Sequence, residues 1–205
     1  MKNSPKTISC NALSRRCAGL SFIEVMLSLA ITGMIGASVV SMVSAVQYGT
    51  TNEADRRRLN IKQEIIRSRV NAAIRSSRMV LDSGSDYLVL WMGDTSANDK
   101  PNLSELRRVE WDSQTNELWS NKAPDTLAES DDTEFELTDD FDTITSALAG
   151  TANFPDELWA TELTAWTHSL NETDAQTATV VIYSTTVQGA DLSVSASSTS
   201  FLRSN

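Results

Sequence analysis

Between Glu24 and Glu53 the chain carries no charged residue. The gap, Val25 to Asn52, is about 28 residues, or roughly 42 Å as a helix at about 1.5 Å per residue. The hydrocarbon core of a bilayer is crossed by about 20 apolar residues. The stretch can therefore span a membrane with a turn or two to spare. Basic residues precede it, at Lys2, Lys6, Arg15 and Arg16, and a single carboxylate, Glu24, stands at its start.

A secretory signal places its small-residue cleavage site after a short apolar run. Here Ala18-Gly19 come before the run, and the run is too long for a signal core. A lipoprotein signal fails as well, because Cys17 precedes the apolar stretch. An uncleaved anchor satisfies the hydropathy and remains an alternative. It leaves Glu24 without a purpose, since an acid at the centre of a membrane helix costs about 2.5–3.5 kcal/mol. In the first helical turn the cost is smaller, because the carboxylate faces the positive end of the helix dipole.

Gly19-Leu20-Ser21-Phe22-Ile23-Glu24 resembles the cleavage and methylation site of type IV prepilins and type II secretion pseudopilins. The usual order there is Gly, Phe, Thr, Leu, Ile, Glu, and Leu20 departs from the common Phe, as minor subunits tolerate. The resemblance covers about the first 50 residues. It implies a leader, 1–19, removed by a prepilin peptidase after Gly19. It further implies N-methylation of Leu20 and an assembly role for Glu24, which would answer the amine of a neighbouring subunit. A carboxylate and an ammonium attract far more strongly in low dielectric than in water, and a charge entering an apolar core needs such a partner.

The remaining charge is unevenly spread around a net of −10. Residues 53–81 hold eight basic and three acidic side chains, whereas residues 82–205 hold 23 acidic and five basic ones. A surface this acidic argues against nucleic acid, whose phosphates require Lys and Arg. Both cysteines, Cys10 and Cys17, fall in the leader, so the mature chain would have no disulfide, thiol catalysis or Cys-bound metal. Pilins of pili often carry a C-terminal disulfide, and its absence tilts the resemblance toward pseudopilins. The basic leader is expected to remain cytoplasmic. That orientation puts residues 20–50 in a bacterial inner membrane and the rest in the periplasm.

From 51 to 82 the helix is expected to continue as an amphipathic rod. Leu59, Ile66, Val70, Ala73, Ile74 and Leu81 share one stripe, with Ile61, Ile65, Ala72 and Met79 on the opposite side. Ser83-Gly84-Ser85 is expected to end it. Residues 83–205 then read as an acidic β-rich domain. Strands are expected at Tyr87–Met92, at Leu106–Trp111 and Glu117–Trp119 around the turn Asp112–Asn116, at Glu134–Leu137, Leu163–His168 and Thr177–Val187, and along Leu192–Leu202. Asp125–Pro155 reads as irregular. A long helix followed by antiparallel strands is α+β, and the closing strands weakly resemble J-class minor pseudopilins.

The domain offers little chemistry. His168 is the sole histidine, and a zinc site needs more than one such ligand. Trp91, Trp111, Trp119, Trp159 and Trp166 read as core. One spacing stands out: Asp94, Ser96, Asn98, Asn102 and Glu105 fall at positions one, three, five, nine and twelve of an EF-hand-like loop. The Lys100 carbonyl stands at seven, and together they would offer Ca²⁺ its oxygen ligands. Asp99 replaces the Gly expected at position six, and a plain acidic loop is the competing reading. No nucleophile elbow or phosphate loop is present. The sequence thus points to a non-enzymatic minor pilin or pseudopilin, with prepilin peptidase, other pilin-like subunits and the inner membrane as partners. The alternative is a membrane-anchored periplasmic binding module that never assembles.

Overall fold

The computed structural model describes residues 21–203, apart from the side chain of Thr51. Helix α1, Phe22–Ser76, is followed by β1 (Met79–Ser83), β2 (Tyr87–Trp91), β3 (Leu106–Asp112) and β4 (Glu117–Lys122). Then come the short helix α2 (Phe141–Leu148), β5 (Asp156–Ala160), β6 (Leu163–Leu170), β7 (Val180–Gln188) and β8 (Ser193–Phe201). Two 3₁₀ turns, Leu103–Glu105 and Ala175–Thr177, lie in the connections. The fold is α+β, as the change of hydrophobic period from helix to strand implies.

The strands form two antiparallel sheets, one of five in the order β1-β2-β3-β4-β5 and one of three in the order β6-β7-β8. Within each sheet every strand pairs with its neighbour in sequence, so no crossover is needed. The β3–β4 hairpin turns through Asn116 at φ +57°, a left-handed conformation that Asn tolerates well.

Among the described residues the chain divides into two units, with the boundary between Thr50 and Thr51. In the second unit the core-facing stripe of α1 is the expected one: Leu59, Ile66, Val70, Ala73 and Ile74 are buried. They join Val80, Leu88, Leu90, Val109 and Leu118 of the larger sheet and Leu163, Trp166, Val181, Tyr183 and Val187 of the smaller. One helical stripe thus closes both sheets, each large aliphatic side chain contributing about 1.5–3 kcal/mol on full burial. Polar contacts fix the helix's rotation. The Tyr183 hydroxyl donates to Arg67 O at 3.1 Å, and Gln63 Nε2 donates to Thr185 O at 3.2 Å.

The other face of the larger sheet carries a second cluster, Leu81, Val89, Trp91, Leu103, Leu106, Ala123, Phe141 and Phe154. Helix α2 covers part of it. Asp140 accepts from Thr143 N at 3.0 Å as its N-cap. Arg108, almost fully buried, holds α2 down by donating to Asp142 Oδ1 at 2.8 Å and Thr145 Oγ1 at 3.0 Å.

Four boundaries differ from those read in the sequence. The helix stops at Ser76, and Leu81 lies in β1. The Ser77 hydroxyl donates back to Ile74 O at 2.6 Å, and the Arg78 N–H donates to Trp91 O at 2.7 Å. Serine competing for the helix's own carbonyls, together with a waiting strand, ends the rod a turn early. Glu134–Leu137 makes one isolated bridge, Asn102 to Glu134, and no strand. Within the expected irregular region lies α2, whose apolar face spans little more than two turns. The strand β5 was also not anticipated, because Asp156 and Glu157 mask its alternation.

Candidate functional site

Glu24 lies in the first turn of α1, where its N–H donates to Ser21 O at 2.9 Å. Gly19 and Leu20, the expected cleavage and methylation positions, lie outside the described residues, as does the rest of the leader. From Phe22 to Tyr48 the large apolar side chains are exposed, Phe22 by 79% and Ile23 by 76%. α1 is long and apolar enough to cross a membrane, and nothing in its most apolar window is buried. Water does not favour that much apolar surface on one helix. Ser28, Thr32, Ser38 and Ser41 return their hydroxyls to backbone carbonyls three or four residues back, which satisfies each polar group within the helix itself.

The loop between β2 and β3 brings Asp94, Ser96, Asn98, Asn102 and Glu105 together, but as a hydrogen-bonded knot. Glu105 is only 3% exposed. Its Oε2 accepts from the Trp91 indole N–H at 2.9 Å and from Asn102 N at 3.3 Å. Its Oε1 accepts from Thr95 N at 2.5 Å, Thr95 Oγ1 at 2.7 Å and Ser96 N at 3.2 Å. Burial alone would raise its pKa, and these donors outweigh burial and hold it below the usual value. Asp94 accepts from Asn98 N at 3.1 Å and Asp99 N at 3.0 Å, and pairs with Arg78 at 3.2 Å. Asn98 Oδ1 accepts from Ser96 Oγ and Lys100 N, both at 3.0 Å. The Lys100 ammonium bridges Glu134 at 2.9 Å and Glu136 at 2.6 Å.

Calcium needs six to eight oxygens turned toward one centre. Here both acids at the ends of the loop accept hydrogen bonds from the loop's own donors. Among the described residues no three His, Cys, Asp or Glu side chains converge as a metal set. The EF-hand spacing has a structural use here, since the loop's own donors occupy both of its terminal acids. Ala97 and Asp99, at φ +55° and +57°, allow the tight winding, with Asp99 standing where the motif carries Gly.

A contact with no signal in the residue pattern pairs the sole histidine with a serine. Ser83 Oγ lies 3.2 Å from His168 Nε2. On the other side of the ring, the Trp166 indole N–H donates to His168 Nδ1 at 3.0 Å. That donor leaves Nδ1 bare, so in the neutral ring the proton sits on Nε2 and points at Ser83. A general base would need Nε2 bare and a carboxylate on Nδ1–H. The pair is wired in the opposite sense and is unsuited to activating the serine. Burial also pushes the His168 pKa down, against a smaller upward pull from Asp86. Of the five tryptophans, Trp91, Trp159 and Trp166 are buried, and Trp111 and Trp119 are half-buried.

No protein-family model, curated protein or solved structure matches this chain.

Proposed function

We propose that this chain is a minor pilin or pseudopilin, a non-enzymatic subunit processed by a prepilin peptidase and anchored in the bacterial inner membrane before assembly. One observation carries the reading. An exposed, uncharged helical stretch stands directly behind Gly19-Leu20-Ser21-Phe22-Ile23-Glu24 and ahead of a domain that has its own core. A subunit that leaves a bilayer for a helical filament core needs an apolar segment that either environment can cover. A carboxylate at its start can meet a neighbour's amine. The orientation of His168 and the absence of cysteine beyond Cys17 agree with a role free of catalysis.

The test is mass spectrometry of the protein from cells that contain a prepilin peptidase. The reading expects a chain that begins at Leu20 with a methylated amine. An intact N-terminus would leave a plain membrane anchor and remove the pilin-like assignment.

A further inference from the structure

The four sheet edges are not alike. At β1 the edge is broken by a bulge between Val80 and Asp82 and carries that acid. At β5 it carries Asp156 and Glu157, and Arg69 of α1 donates to Trp159 O at 2.9 Å. β6 is bulged between Leu163 and Ala165, Leu163 O accepts from the Trp111 indole, and His168 meets Ser83. Charges, bulges and covering groups are the means by which sheets avoid pairing with other chains.

β8 has none of these. It runs nine residues, Ser193–Phe201, with no charge and no proline, in unbroken register with β7. Leu202 N–H donates to Thr179 O and Gly189 N–H to Leu192 O, so the even-numbered residues point their backbone groups at β7. The backbone groups of Ser193, Ser195, Ser197, Thr199 and Phe201 turn outward, and among the described residues no strand pairs with them. The edge ends where Arg203 N–H donates to Ser77 O at 3.1 Å. The side chains of those five residues are exposed, Phe201 by 66%.

We propose that the outer edge of β8 is a strand-addition site that takes an extended segment of a partner protein, antiparallel to β8, with an uncharged centre and a basic C-terminal flank that lies beside Asp191 and away from Arg203. Main-chain hydrogen bonds to an exposed edge supply affinity in this mode of recognition. The small hydroxylated side chains of β8 accept many cross-strand neighbours, and Ser and Thr pairs add hydrogen bonds of their own. Charge selects the occupant. From residue 51 onward the chain carries 26 acids against 13 bases, so a second copy of the domain is repelled at long range and a basic segment is drawn in. Asp191, just ahead of β8, stands where the end of an antiparallel partner would place a lysine or arginine.

The experiment uses the full chain in detergent and a fluorescent peptide of the β8 sequence Ser193–Phe201 with two lysines added at its C-terminal end. Saturable binding by fluorescence anisotropy is expected. Binding should weaken at least about tenfold in Ser197→Lys, which sets a charge against the arriving basic strand, and in Thr199→Pro, which removes one outward donor. Both substitutions leave the hydrogen bonds to β7 in place, and unchanged thermal midpoints would verify that. A peptide with proline at its centre tests the pairing without altering the protein, and it is expected not to bind. Four outcomes would overturn the proposal: no binding, equal binding of the proline peptide, tighter binding of a version with glutamates in place of the C-terminal lysines, or self-association of the full chain that Ser197→Lys abolishes.

Discussion

The Trp91 indole N–H donates to Glu105 Oε2 at 2.9 Å, joining the last residue of β2 to the end of the loop that returns as β3. A carboxylate that a calcium loop would turn toward an ion is here turned into the protein.

Glu105→Ala should therefore be among the most destabilising changes outside the apolar core. It leaves the buried Trp91 N–H and the Thr95 N–H without their acceptor, at a cost of about 2–3 kcal/mol. Urea titration would measure it. Because the folded-state pKa of Glu105 is lowered, its contribution is complete above the ordinary carboxylate pKa of about 4.5 and is lost as pH falls through the folded value. A loss below about 0.5 kcal/mol would mean that the loop holds without this carboxylate.

Calcium should not stabilise the protein. Thermal midpoints in millimolar calcium and in chelator are expected to agree. A rise in calcium that Asp94→Ala abolishes would restore the metal reading of the loop.

The buried ring of His168 makes stability depend on pH. Its folded pKa lies below 6.5, so the unfolded chain binds the proton first. Its full contribution is present above about pH 6.5 and declines as pH falls from there toward the folded value. Unfolding free energies at intervals from pH 8 to pH 5, compared with those of His168→Gln, isolate the effect. The wild type should show the steeper fall, and parallel curves would remove it.

Ile74→Ala should cost about 2–5 kcal/mol, because Ile74 is fully buried where the helix closes both sheets and leaves a cavity there. Ile61→Ala, on the exposed side of the same helix, should cost less than about 1 kcal/mol. Chemical denaturation of both variants checks the assignment of faces.

If the proposed function holds, Glu24→Gln should still insert in a membrane and fold normally, yet crosslink poorly to pilin-like subunits. The amide cannot answer a neighbour's amine with charge. Crosslinking at the wild-type level would remove that role from Glu24.

Where burial is periodic, the sequence told the fold well. The stripe Leu59, Ile66, Val70, Ala73 and Ile74, the hairpin around Asn116 and the strands β6 and β7 were all legible, because each presents one apolar face. β5 was hidden by acids on its exposed residues. The end of α1 was hidden because Met79, Val80 and Leu81 suit a helix and a strand equally, and only the partner strand β2 decides between them. The loop 94–105 shows a different limit. Its oxygen spacing is real, but spacing does not say whether those oxygens face an ion or the loop's own N–H groups. The arrangement around His168 was not legible, since Ser83 and His168 meet across 85 residues of sequence.

The contacts that lock α1 to the smaller sheet join residues far apart in the chain, such as Gln63 to Thr185 across 122 residues. The five-stranded meander can form in order as the chain emerges, since each strand pairs with the one before it. The helix must wait. Until β7 is available, Leu59, Ile66 and Val70 lack much of their cover, and a nascent chain presents them as adhesive surface. Closure of the domain is then a late event set by the last quarter of the chain. A truncation ahead of Val180 would yield an aggregation-prone meander with an uncovered helix.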